Sequence, residues 1–156
     1  MKHFFSAEDV DNLEQWVEEA FHLKANPYGF REEARHRSIC LIFLNPSLRT
    51  RLSTQQAARN LGMEVAVFDV GSGGWKLEFA DGTIMDGEKA EHVREAAGVI
   101  SAYFDLIGVR AFANLEERDI DYEEEILTQF MKHSSVPVIN LESATLHPLQ
   151  SFADLI

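Results

Sequence analysis

Only one cysteine, Cys40, occurs in the 156-residue chain, which excludes a disulfide framework and any zinc site built on thiolates. Positive charge is scarce as well: Lys and Arg number 14 against 26 Asp and Glu, a formal net charge of −12. Such a chain repels nucleic acid and anionic membranes in bulk, so an anionic ligand must be held by local cations against the global field. No apolar run approaches the length that crosses a bilayer. Glu8 and Asp9 follow Phe4-Phe5-Ser6 too soon for a signal-peptide core. Internal repeats and low-complexity tracts are missing too. What remains is ordinary for a folded domain, with 46% apolar and 26% charged residues. A chain of this length hides roughly 68–70% of its unfolded surface, enough for a core without disulfides or a structural metal. The expectation is one soluble domain in a reducing compartment, the cytoplasm.

Helix and strand signals alternate. Ser6-Ala7-Glu8-Asp9 resembles a capping box, and Val10, Leu13, Trp16, Val17, Ala20 and Phe21 recur at helical spacing until Asn26-Pro27. Ser38-Ile39-Cys40-Leu41-Ile42-Phe43-Leu44 is continuous and rich in strand formers, as suits a central parallel strand covered on both faces. A helix follows over 50–61, with Ala57, Ala58 and Leu61 inward and Gly62 as its stop. Val65-Ala66-Val67-Phe68 is a second strand, and 77–86 reads as loop. Val93, Ala96, Ala97 and Ile100 mark a helix, Leu106-Ile107-Gly108-Val109 a third strand, and Ile126, Leu127 and Phe130 another helix. Val136-Pro137-Val138-Ile139 is a fourth strand, which Pro137 confines to a sheet edge or a strand start. His147-Pro148 opens a last helix. The alternation predicts an α/β fold: a four-stranded parallel sheet with helices on both faces. Leu155-Ile156 falls inside an amphipathic helix, which predicts a cut in a longer protein.

In such sheets ligands sit beyond the carboxyl ends of the strands. The first strand runs into Asn45-Pro46-Ser47-Leu48-Arg49-Thr50-Arg51, a loop with two hydroxyls and two guanidinia that enters a helix N-terminus. Free backbone N–H groups there, with about half a positive charge from the helix dipole, favour a phosphate. Arg110 ends the third strand, and the fourth leads to Glu142 and His147-Pro148-Leu149-Gln150. Each residue also has a plainer reading: a solvated Arg49 or Arg51, His147 as a helix cap, Glu142 as an exposed loop carboxylate, Trp75 as a loop anchor. Convergence on strand ends is what favours a site.

Several motifs fail. Gly71-Ser72-Gly73-Gly74 lacks the third glycine and helix start of a dinucleotide fingerprint, and no GxxxxGK[ST] is present. Cys40 has no arginine six positions on for a phosphatase loop and reads as a buried strand residue. The histidines lack metal-ligand spacing. The acidic run over 116–125 reads as a solvated helix start.

Ser47-Leu48-Arg49-Thr50-Arg51 resembles the S-x-R-T-R signature of the transcarbamylases, and His147-Pro148-Leu149-Gln150 their HPxQ motif, in the same order along the chain. Gly74-Trp75-Lys76-Leu77-Glu78, Met85-Asp86-Gly87, Ile107-Gly108-Val109-Arg110 and the segment from Ser151 to Ile156 resemble the N-acylornithine branch, the N-acetylornithine and N-succinylornithine carbamoyltransferases. The resemblance covers the whole chain and implies only the amino-terminal half of such an enzyme. It implies a carbamoyl-phosphate-binding domain over 1–146, the start of an interdomain helix over 147–156, and a second, amino-acid-binding domain elsewhere.

It also implies roles. Ser47, Leu48, Arg49 and Thr50 would bind the phosphate of carbamoyl phosphate. Arg110 and His147 would meet its carbonyl oxygen, with Thr50, and Gln150 its amide. Glu142 would face an N-acylornithine. Trp75 would lie on a loop shared between subunits of a homotrimer, as a further carbamoyl phosphate contact. Ala90 occupies the position that sorts acyl groups, where a glutamate goes with acetyl and a small neutral residue with succinyl, so N-succinylornithine is slightly favoured. No metal or other cofactor is implied. Two further classes stay open: a stand-alone anion- or nucleotide-binding α/β module, and an inactive trimerisation domain.

Overall fold

The computed structural model describes residues 3–71, 75–113, 115 and 118–156. Ser72, Gly73 and Gly74 of the glycine-rich stretch and Glu116 and Glu117 of the acidic run lie outside the described residues, as do Met1, Lys2 and Asn114. In chain order the elements are α1 (Leu13–Ala25), β1 (Ser38–Phe43), α2 (Arg49–Asn60), β2 (Glu64–Asp69), β3 (Leu77–Glu78), β4 (Glu91–His92) and α3 (Val93–Tyr103). Then come β5 (Leu106–Arg110), α4 (Arg118–Glu123), α5 (Glu125–His133), β6 (Val138–Glu142) and α6 (Pro148–Ala153).

Four strands form one parallel sheet, as the sequence predicts, and their order is β2-β1-β5-β6. The continuous apolar run of β1 is explained by its central place. Cys40 and Ile42 pack with α3 and α5 on one face, among Val93, Ala97, Leu127 and Phe130. Ile39, Leu41 and Phe43 pack on the other with Ala58 of α2 and Leu149 of α6. Both faces are therefore covered, and each large side chain so buried contributes about 1.5–3 kcal/mol. Gly108 is required by this packing, since a Cβ there would meet Leu41 Cδ2 at 2.9 Å and Leu141 at 3.2 Å. Gly62 ends α2 at φ +81, a left-handed value suited to glycine.

Pro137 immediately precedes β6, which is also an edge strand. Its outer side is closed by Phe4, whose N–H donates to the Val138 carbonyl and whose carbonyl accepts from the Asn140 N–H, both at 2.8 Å.

Some expectations need correction. Ser6 caps only a single 3-10 turn, Ala7–Asp9, with the reciprocal capping box. The chain is extended at Val10, and α1 starts afresh behind Asn12, whose Oδ1 accepts from the Gln15 N–H at 3.1 Å. Ala57 is exposed, because Ala58 alone of α2 turns fully inward. The 77–86 stretch is not all loop: β3 pairs in parallel with β4 as a separate two-stranded sheet. Two-residue strands are too short to show a period.

Candidate functional site

Because all four strands of the main sheet are parallel, the ends of β1, β5 and β6 reach one rim. Three of the residues singled out in the sequence meet there. Arg110 closes β5 and is 9% exposed. Its Nε donates to Glu142 Oε2 at 2.8 Å, and its Nη2 lies 2.8 Å from the same oxygen. Its Nη1 donates to the carbonyls of Asn45 and Pro46 at 3.2 and 3.3 Å. One guanidinium thus ties the loop after β1 to the end of β6. A fork of five N–H donors suits such a junction and retains further donor capacity. The His147 Nε2 lies 3.9 Å from the same Glu142 oxygen.

A local irregularity sets this encounter. The β5–β6 register runs Val109↔Asn140 and then Arg110↔Glu142, so β6 carries one extra residue at that point. The bulge brings the Glu142 carboxylate opposite Arg110. Without it Leu141, buried against Ile39 and Phe43 in the core, would occupy that register.

The loop from β1 enters α2 with Leu48 at its N-cap, which makes no side-chain capping bond. Ser47 and Thr50 are half-buried beside that turn, whereas Leu48 and Arg49 are exposed. Arg51 does not share Arg49's surroundings. It pairs with Asp69 at the end of β2, and its guanidinium lies 4.6 Å from the Phe43 ring centre. The Arg51 guanidinium is therefore committed to the end of β2. Asn45, which sequence reasoning did not single out, ties the loop down from the other side, its Oδ1 accepting from the Phe112 N–H at 2.6 Å.

His147 occupies the N-cap of α6 without a side-chain capping bond, so the plain helix-cap reading does not apply. Its Nδ1 is buried and has no hydrogen-bond partner among the described residues. Gln150, one turn on, is exposed and donates to Asp154 Oδ1 at 2.7 Å.

Trp75 and Ala90 lie apart from this cluster, beside the small sheet. The Trp75 indole N–H donates to Glu91 Oε2 at 3.2 Å, and its ring sits 5.8 Å from that of Phe68. Ala90 is exposed, and its N–H donates to the Lys76 carbonyl at 2.9 Å. Among the described residues no hydrogen bond links either to Arg110, Glu142 or His147.

The acidic run needs a correction. Glu124 is not solvated: at 8% exposed it is buried, in the left-handed conformation at φ 50 between α4 and α5. Its carboxylate accepts from the Ser143 and Thr145 hydroxyls and from the Ala144 and Thr145 N–H groups. Residue type gave no sign of this, because the kink that turns Glu124 inward is not a sequence pattern. Cys40 behaves as expected of a buried strand residue, its thiol pushed up to about 12 by burial. Among the described residues no helix is long and apolar enough to cross a membrane, and no group of three His, Cys, Asp or Glu is placed to hold a metal ion.

Comparison with known proteins bears on the family and the fold. A family model described as the aspartate/ornithine carbamoyltransferase carbamoyl-P binding domain matches residues 2–156. An N-succinylornithine carbamoyltransferase of Bacteroides thetaiotaomicron is 52% identical over 156 residues, covering 100% of this chain and 49% of the relative. An N-acetylornithine carbamoyltransferase of Xanthomonas campestris is 42% identical over 155 residues, covering 98% of this chain and 45% of the relative. A crystal structure of acetylornithine transcarbamylase complexed with acetylcitrulline superimposes with a TM-score of 0.92 at 41% identity, over 99% of this chain and 46% of that one. Another, of N-acetyl-L-ornithine transcarbamylase with one glutamate replaced by alanine, holds carbamyl phosphate and N-succinyl-L-norvaline; it has the same TM-score of 0.92 at 42% identity, over 99% of this chain and 46% of that one. The chain spans about half the length of the curated relatives it matches.

Proposed function

The chain belongs to the aspartate/ornithine carbamoyltransferase family, and from that premise we propose that it is the carbamoyl-phosphate-binding half of an enzyme that carbamoylates the δ-amine of an N-acylated ornithine in arginine biosynthesis. The observation that carries this reading is the junction of Arg110, Glu142 and His147 with the loop feeding α2. There a guanidinium paired with Glu142 stands beside an imidazole and the loop that enters a helix N-terminus, on an otherwise acidic chain.

Each group has a task there. The first turn of α2, with Ser47, Leu48, Arg49 and Thr50, binds the phosphate of carbamoyl phosphate. Arg110, His147 and Thr50 donate to the carbonyl oxygen, and Gln150 addresses the carbamoyl amide after leaving Asp154. The δ-amine has an ordinary pKa near 10.4, as for lysine, so it must be bound neutral to react. Its nitrogen attacks the carbonyl carbon, and the tetrahedral intermediate carries negative charge on oxygen. Donors fixed beforehand stabilise that charge without reorganising. The carbon–oxygen bond to phosphate then breaks, the phosphate leaves with the electron pair, and it takes the amine's proton. Holding both reactants in attack geometry supplies much of the remaining rate.

Glu142 faces the N-acylornithine. Ala90 sets the acyl group: a carboxylate there would repel a succinyl tail, and a methyl leaves room for one. The higher identity to the N-succinylornithine enzyme supports succinyl as the group. The binding of N-succinyl-L-norvaline by transcarbamylases with one glutamate replaced supports it too. Residues 1–146 form the carbamoyl-phosphate domain, 147–156 begin the helix toward a second domain, and Trp75 belongs to a loop completing a neighbour's site in a cytoplasmic homotrimer. The test is turnover of the full-length enzyme with carbamoyl phosphate and each acylornithine, read as phosphate and acylcitrulline formed. Succinyl should react faster. Preference for acetyl overturns the acyl assignment, and no transfer to either overturns the function.

A further inference from the structure

We propose that Glu124 is a positioning residue for His147, acting through the loop that links β6 to α6; this rests on the transferase reading above. Among the described residues the imidazole makes no hydrogen bond. Its Nδ1 has no partner among the described residues, its Nε2 is 3.9 Å from Glu142, and it makes no capping bond. The ring's place is therefore set by the path of the backbone through residues 143–146.

That path is pinned at one point. The Ser143 N–H donates to the Leu146 carbonyl at 2.8 Å, and the Leu146 N–H donates back to Ser143 Oγ at 3.2 Å, closing a turn. Ser143 Oγ donates to Glu124 Oε1 at 2.7 Å and accepts from Asn140 Nδ2 at 3.2 Å. Thr145 reaches the same carboxylate oxygen with its hydroxyl at 2.6 Å and its N–H at 2.8 Å, and the Ala144 N–H reaches the other oxygen at 3.3 Å. One buried carboxyl group thus gathers donors from three consecutive residues, the last of them two positions before His147. Among the described residues it has no cationic partner, so its whole acceptor capacity is turned to the loop. It comes from the α4–α5 junction, outside the strand ends that form the rim, and it is delivered by a left-handed backbone that a non-glycine residue adopts only when its surroundings enforce it.

If Glu124 works through His147, its loss should weaken an interaction made with the developing oxyanion. The cost then falls on kcat more than on KM. In the full-length enzyme, Glu124→Gln should lower kcat about tenfold and leave the KM for carbamoyl phosphate within about twofold, with thermal unfolding reporting the folded fraction. The decisive comparison repeats Glu124→Gln on a His147→Ala background. A positioning role makes the second loss much smaller than the first, whereas a role in folding alone gives equal factors in both backgrounds. Should Glu124→Gln not fold, Thr145→Val removes one hydroxyl donor from the same carboxylate and is read in the same cycle. Equal factors, or no effect on kcat in an active enzyme, overturn the positioning role alone. An unsubstituted full-length enzyme that transfers no carbamoyl group overturns the proposed function, and this role with it.

Discussion

The rim of the main sheet and the small β3–β4 sheet are built by opposite means. At the rim, Arg110 is nearly buried and bound from two sides by β6 and by the loop after β1. Around the small sheet, the polar links lie on the surface: Lys89 with Glu78, Lys76 with Glu88, and Lys132 with Asp81. Exposed pairs of that kind contribute about 0–1 kcal/mol each, while a buried charge stripped of its partner costs about 3–5 kcal/mol. The lesson is a division of labour. Groups that must hold a fixed geometry sit where the fold over-determines them, and a residue proposed to sort substrates sits where a substitution disturbs little else.

The sharpest way to break this comparison is Arg110→Ala in the full-length enzyme. Turnover should fall on the order of a hundredfold, the usual cost of one oxyanion donor. Unchanged steady-state kinetics would remove Arg110 from the site. A smaller effect is expected at the other region. Ala90→Glu should shift the ratio of kcat/KM for succinyl over acetyl substrate by about tenfold toward acetyl, the scale of a like-charge contact worth about 1.4 kcal/mol. The KM for carbamoyl phosphate should stay as it was; if it rises in step, Ala90 belongs to the rim after all.

The smallest effect is a matter of acidity. The Lys89 ammonium, followed by the Ala80 amide, holds the Glu78 carboxyl at about 2, below its ordinary 4.5. A carboxyl depressed on folding stabilises the fold above pH 4.5, and that contribution fades as pH falls toward 2. Replacing the cation by Lys89→Met should flatten the pH dependence of unfolding across that window. An identical slope would show that the pair does not support the small sheet.

Much of the main sheet was legible because burial on two faces leaves an unmistakable apolar run, as in β1 and β5. The rim itself was legible for a different reason: parallel strands deliver their ends to one side, which places Arg110, Glu142 and His147 on one rim, although the contact of Arg110 with Glu142 depends on the β6 bulge. Three things escaped. The β6 bulge is a matter of register, and no single residue announces it. Strands β3 and β4 have two residues each, so neither shows alternation. Glu124 was lost in its own neighbourhood, since an acidic run reads as solvated until one backbone angle turns a member inward.

The pairing of Phe4 with β6 has a consequence for association. Among the described residues β2 has no neighbour on its outer side, so the main sheet offers a raw margin there, and Phe4 gives β6 a finished one. Trimming residues 3–5 would strip that hem, bare the Val138 carbonyl and the Asn140 amide, and leave a template at both margins on which chains can stack edge to edge into aggregates.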